Sequence, residues 1–120
     1  MNKEFVPYEL AMKLKTLGFD EPCFAYYKDM KGEKVLLYDS MDFDGECNAP
    51  LYQQAFRWFR EKYDLVGIVK FGTNDFTYNI YSDDGIGLLT KESLGFNGTY
   101  EEAELSCLTK LIKITEKHEN

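Results

Sequence analysis

Histidine, cysteine and proline are scarce in this sequence of 120 residues, which has one histidine, three cysteines and three prolines. His118 lies near the carboxyl terminus, where a helix end frays, so imidazole catalysis and the usual zinc sites are disfavoured. We interpret His118 as a cation favoured at a helix C-terminus. Cys23, Cys47 and Cys107 are odd in number and widely spaced, which is typical of reduced thiols in a cytosol. We expect Cys23 and Cys107 to be inert core thiols.

Long apolar runs are also missing. The longest, residues 65–69, is far shorter than the roughly 20 residues that a membrane-spanning helix needs, and the amino-terminal MNKEFVPYEL lacks the apolar stretch of a signal peptide. We therefore expect a cytoplasmic protein without membrane association. The net charge of −7 repels phosphate backbones, which disfavours nucleic acid as a partner. The length and the lack of linkers predict a single domain, residues 1–120.

Three helices are predicted, and each begins with the pattern Tyr-x-x-Ala. The first covers residues 7–17, with Gly18 as its C-terminal cap. The second carries an aromatic stripe at helical spacing that indicates a core-facing side, formed by Tyr52, Phe56, Phe59 and Tyr63. The third covers residues 100–117 and begins with a capping box of Thr99 and Glu102.

Strands are predicted between the helices. Residues 23–28 and 34–39 flank a turn that contains glycine, which is typical of a β-hairpin. Residues 66–71 and 76–81 predict a second hairpin, and residues 86–91 indicate an optional last strand. Short turns require antiparallel pairing, so the predicted fold class is α+β in the order α-β-β-α-β-β-(β)-α. It has an antiparallel sheet of four to five strands, with three helices packed mainly on one face.

Three apolar residues are candidates for an interaction site. Leu105 and Ile112 broaden the apolar arc of the third helix past a normal amphipathic stripe, which predicts that this helix contacts two surfaces. Trp58 lies on the flank of the second helix, between its apolar and charged faces. It either covers the edge of the core or anchors a partner. Stacking of nucleic-acid bases on Trp58, flanked by Arg57 and Arg60, is a third interpretation, which the net charge opposes.

An acidic cluster contains Asp42, Asp44 and Glu46. The stretch that begins at Ser40 matches the start of a calcium loop, but its twelfth position is Leu51 instead of the required glutamate. We interpret the cluster as a solvated connection, with a weak cation site or an acid–base pair as the alternative. No cofactor is predicted.

Four motifs resemble a family of small bacterial proteins, often encoded in phage-like or mobile regions, that has no assigned activity. They are FVPYE (5–9), LGFDEPCFAYY (17–27), QAFRWFREKY (54–63) and TYEEAELSCL (99–108). The resemblance implies a cytoplasmic accessory protein. The sequence departs from the family pattern at Leu51, where threonine is usual, and at Ser106, where alanine is usual.

Together these observations favour a non-catalytic accessory or regulatory module that binds another protein. Its partner is unidentified, and a homodimer through the third helix is left open. The alternative is a small carboxylate- or metal-dependent enzyme with Asp42, Asp44 and Glu46 as its site.

Overall fold

The computed structural model describes residues 2–38, 47–71, 76–82, 87–93 and 98–119. It confirms the α+β class with antiparallel strands and three α-helices. A 3₁₀ turn, Asn2–Glu4, precedes the regular elements. In chain order these are α1 (Tyr8–Leu17), β1 (Ala25–Met30), β2 (Glu33–Tyr38), β3 (Cys47–Ala49), α2 (Tyr52–Tyr63), β4 (Leu65–Phe71), β5 (Phe76–Ser82), β6 (Gly87–Ser93) and α3 (Tyr100–Glu119).

The strands form two sheets, which corrects the prediction of one sheet with four to five strands. The first sheet has the order β2-β1-β3 and the second the order β4-β5-β6. Strand β3 was not predicted, because three residues are too few to show an alternating pattern. The helices likewise do not share one sheet, since α1 packs against β3 whereas α3 packs against β4 and β5.

The chain forms two compact units, residues 1–54 and 55–120, and α2 begins in the first and continues in the second. The prediction of a single domain stays a prediction. The repeated Tyr-x-x-Ala pattern does not correspond to a repeated sheet. The first strand after α1 lies in the middle of its sheet, whereas the first strand after α2 lies at an edge.

In the first unit, local chemistry defines both the helix end and the hairpin. Gly18 ends α1 with φ 110°, and its N–H donates to Lys15 O at 3.0 Å, as predicted for a C-terminal cap. Strands β1 and β2 are joined by Lys31 and Gly32, which both have positive φ, as a type I′ turn requires. The Gly32 N–H donates to the Asp29 carboxylate at 2.9 Å. Each turn therefore follows from the glycine that the sequence places there.

In the second unit, the predicted aromatic stripe of α2 faces the core only in part, because the buried side of the helix is rotated toward Ala55 and Trp58. Phe59 is fully buried, Tyr63 and Phe56 are half-buried, and Arg57 and Arg60 are exposed. The predicted capping box begins α3: Thr99 N–H donates to Glu102 Oε1 at 2.9 Å, and Glu102 N–H donates to Thr99 Oγ1 at 3.1 Å. Two donors at the helix start are thereby satisfied.

Gly67 is the point of closest approach between β4 and α3. A Cβ atom at this position would lie 2.8 Å from Cys107 Sγ and 3.1 Å from Leu111 Cδ1. Since both side chains are fully buried and cannot swing into solvent, only glycine allows this spacing. The close contact also identifies the face of β4 that α3 covers.

Gly67→Ala is expected to lower the free energy of unfolding by about 1–3 kcal/mol through overpacking. Chemical denaturation measures this loss. The matched comparison is the same substitution in a Cys107→Ala background, where the nearest atom is gone and the loss is expected to shrink. Equal losses in the two backgrounds would show that the contact with Cys107 is not the cause.

Candidate functional site

Trp58 lies at the edge of the core. Its side chain is 6% exposed, and its ring packs edge-to-face on Phe59 and Tyr63 with centroid distances of 5.1 and 5.5 Å. Lys62 Nζ covers the ring at 5.1 Å, in cation–π geometry. The core-edge interpretation is therefore the one that the geometry supports. A ring covered in this way offers no platform for stacking a nucleic-acid base.

The two candidates on α3 have opposite environments. Ile112 is 1% exposed, so the structure contradicts its role as a surface contact. Leu105 is 38% exposed and remains a candidate. The broad apolar arc therefore extends the buried side of α3 at Ile112 and reaches solvent at Leu105, a difference that the sequence pattern does not contain.

The predicted acidic site, Asp42, Asp44 and Glu46, lies outside the described residues, as does the side chain of His118. In the described part of the chain, no three His, Cys, Asp or Glu side chains come together in a group that could hold a metal ion. Among the same residues, no helix is both long and apolar enough to cross a membrane. The carboxylate-enzyme alternative stays an untested prediction.

Among the described residues of the second unit, Phe71 is the most exposed large apolar residue, and it belongs to a row of three rings, Phe71, Phe76 and Tyr100, which we call the aromatic row. Phe71 and Phe76 are opposite each other on β4 and β5 with ring centroids 5.0 Å apart, and Phe76 meets Tyr100 edge-to-face at 5.8 Å. The row lies on the face of β4 that α3 covers at Gly67. Because α3 begins only at Tyr100, the helix does not extend over Phe71, which is 70% exposed.

A buried carboxylate lies one helical turn from the aromatic row. Glu104 is 8% exposed, although its position in the sequence lies among glutamates that are exposed. Burial, with a smaller effect from Glu101, raises the pKa of Glu104 from 4.5 to about 7. Burial also raises the pKa of Tyr100, with Glu104 and Glu101 adding to the shift. No cation is paired with Glu104 within the described part of the chain.

A cleft of about 390 Å³ lies along α3, and we call it the α3 cleft. The residues that line it are Tyr78, Leu105, Ser106, Thr109, Lys110 and Lys113. Tyr78 comes from β5, whereas the other five residues form one side of the helix. The volume falls within the range of about 300–1,000 Å³ that is usual for ligand sites. The lining combines apolar, hydroxyl and cationic groups.

The first unit has a separate cleft of about 420 Å³ between the end of α1 and strand β3, where Lys15, Asp20 and Asn48 are the charged and amide groups. Because one cation and one anion line this cleft, their charges offset each other. The lining therefore favours neither a cationic nor an anionic ligand. Asn48 Nδ2 also donates to Glu21 O at 3.1 Å, which holds the adjoining loop against β3. We interpret this cleft as a structural junction.

Cys23 and Cys107 are protonated thiols in the folded protein. None of the three cysteines, all of which are described, forms a disulfide. Burial, with a contribution from Glu104, raises the pKa of Cys107 to about 12, and burial together with Glu21 raises that of Cys23 to about 12. Both remain protonated at neutral pH, as expected for inert thiols. Cys107 is fully buried whereas Cys23 is half-buried.

The opposite face of the second sheet carries a polar network beside Val66 and Ile68, of which Ile68 is 43% exposed. With the amide of Asn79 oriented to satisfy its neighbours, Oδ1 accepts from Lys70 Nζ at 3.2 Å and from the Tyr81 hydroxyl at 2.9 Å. The amide nitrogen donates to the backbone oxygen of Tyr78 at 3.0 Å. Asn79 is buried and fully bonded, so it is a structural group.

Two features of these surfaces were missed in the sequence. At 100° per residue, Glu104 lies between Tyr100 and Leu108 on the apolar arc of α3, so a helical projection that included charged residues would have found it. No sequence pattern indicated that Phe71 is exposed. Alternation shows on which face of a strand a residue lies, but it does not show where a covering helix begins.

Comparisons of the chain with protein-family models, with the sequences of curated proteins and with solved structures found no match.

Proposed function

We propose that this chain is a non-catalytic accessory protein that acts by binding another protein, and that the aromatic row is its contact surface. The observation that carries the proposal is the 70% exposure of Phe71 at one end of three rings in contact. Contiguous exposed apolar patches often mark the surfaces by which proteins bind one another, and aromatic side chains are enriched at the centres of protein interfaces.

The row is also preorganised for binding. Phe71 and Phe76 are held opposite each other on paired strands, and Tyr100 is held by the first turn of α3. Rigid rings on regular elements lose little conformational entropy when a partner covers them. A cytoplasmic setting and an origin in phage or mobile elements, which the family resemblance implies, belong to the same proposal. A second copy of the chain is one partner that it allows.

Site-specific photocrosslinking in the native cells tests the proposal. A benzophenone analogue of phenylalanine replaces Phe71, and the matched control carries it at Glu61, which is exposed on α2 of the same unit. We expect adducts that depend on illumination at position 71 and none above background at position 61. The mass of the adduct distinguishes a second copy from a different protein.

A second variant separates binding from stability. In this variant Phe71→Ala is combined with the crosslinker at position 100 in place of Tyr100. We expect a lower adduct yield than with the crosslinker at position 100 alone. The thermal midpoint is expected to stay unchanged, because truncating an exposed side chain costs less than about 0.5 kcal/mol. Equal adduct yields at positions 71 and 61 would contradict the proposal.

A further inference from the structure

The α3 cleft carries a local excess of positive charge in an acidic chain. Lys110 and Lys113 are three positions apart on α3, so their side chains leave the same side of the helix, and both line the cleft. The next basic residue, Lys117, lies one turn further along. Like charges at this spacing destabilise a helix slightly. A ligand of opposite charge would offset this repulsion between Lys110 and Lys113.

Neighbouring residues offset only part of the charge of these lysines. The side chains one turn before Lys110 and Lys113 are Ser106 and Thr109, which carry no charge, and Glu116, three positions after Lys113, is one carboxylate beside the three lysines Lys110, Lys113 and Lys117. In the described ranges, no ion pair is found at Lys110 or Lys113.

The remaining lining residues specify more than charge. Leu105 is exposed beside the lysines, and buried Tyr78 contributes to the cleft from β5. The Thr109 hydroxyl donates to Leu105 O at 2.7 Å, so Ser106 is the hydroxyl that can donate to a ligand. An occupant would therefore satisfy two cations and one hydroxyl and would cover one leucine.

We propose that the α3 cleft binds a short acidic peptide segment of a partner protein, with carboxylates on Lys110 and Lys113 and an adjacent aliphatic side chain on Leu105. Lysine is a point charge on a flexible chain, which suits separate carboxylates better than the bidentate geometry by which arginine recognises phosphate. The net charge of −7 opposes a nucleic acid, whose phosphates continue far beyond the cleft. The inference rests on the proposed function of protein binding, at a surface separate from the aromatic row.

Titration with a peptide probe tests this inference. The probe is acetyl-Glu-Asp-Leu-Glu-Asp-amide, its counterpart has glutamine and asparagine in place of the acids, and ¹⁵N-labelled full-length protein reports the amide shifts. We expect the acidic probe to shift the amides of residues 105–113 and the neutral one to leave them unchanged. Lys110→Gln/Lys113→Gln is expected to weaken binding about tenfold, because each exposed charge pair contributes a fraction of the affinity.

The control Lys13→Gln/Lys28→Gln removes the same charge from exposed positions in the first unit and is expected to leave the affinity unchanged. Equal weakening by both double variants would overturn the inference, because attraction would then depend only on total charge. Binding of the neutral peptide, or of inorganic phosphate with equal affinity, would also overturn it. So would self-association that Lys110→Gln/Lys113→Gln abolishes, because the occupant would then be a second copy.

These outcomes are distinguishable from failure of the proposed function. If peptide binding fails but adducts still form at Phe71, the acidic-peptide inference falls and the aromatic row stands. If the peptide binds but position 71 gives no adduct above the Glu61 control, the aromatic row falls and the α3 cleft stands as the contact surface.

Discussion

Trp58→Ala is expected to lower the free energy of unfolding by about 3–5 kcal/mol, the usual loss for truncating a large buried aromatic side chain. The ring is 6% exposed and packs on Phe59 and Tyr63. Its removal leaves a cavity beside both rings and removes one of the two aromatic rings that Lys62 contacts. Urea denaturation, followed by circular dichroism because the substitution removes the only tryptophan, measures the change.

Phe71→Ala is the matched control, because it truncates an aromatic side chain of the same unit that is largely exposed. Its expected cost is below about 0.5 kcal/mol. If Trp58→Ala lost no more stability than Phe71→Ala and instead abolished crosslinking at the aromatic row, Trp58 would be a partner anchor and the core-edge interpretation would be wrong.

Glu104→Gln is expected to stabilise the protein at pH 8 and to have little effect at pH 5. The folded chain holds a proton on Glu104 up to about pH 7, whereas the unfolded chain releases it near pH 4.5. Stability from this group is therefore complete below pH 4.5 and is lost as the pH rises to 7 and beyond. The shift corresponds to at most about 3 kcal/mol, and to less because solvent reaches part of the side chain.

Thermal denaturation of the unsubstituted protein and of Glu104→Gln, carried out between pH 5 and pH 8, measures how their stabilities differ with pH. Glu61→Gln removes the same charge from an exposed position and is expected to leave the pH dependence unchanged. If Glu104→Gln destabilised the protein at pH 8, the carboxylate would have to form a favourable bond when ionised.

The features of this fold that follow local rules were predictable. Gly18 ends α1 because a residue with positive φ is needed there, and Thr99 and Glu102 bond each other because a capping box involves residues only three apart. The aromatic stripe of α2 was equally clear, since Phe59 and Tyr63 repeat at helical spacing. Each of these inferences depends on neighbours within one or two turns.

The candidate sites were harder to predict because they depend on what covers each residue. Leu105 and Ile112 are both apolar residues that broaden the arc of α3, yet one is exposed and the other is buried. Glu104 departs from expectation in the opposite direction. Charged side chains are usually exposed, yet this one is buried beside Cys107. Periodicity identifies the side of a helix but not the extent of the surface that packs on it.

The sequence by itself determined the α+β class, the three helices, their caps and the two hairpins, because these depend on periodicity and on glycine chemistry over a few residues. Only the tertiary structure decided that the strands divide between two sheets, since pairing β3 with β1 joins residues about twenty positions apart. It also decided that Trp58 and Ile112 are buried while Phe71 is exposed. These outcomes depend on where α3 begins relative to β4 and on which long-range contacts displace water.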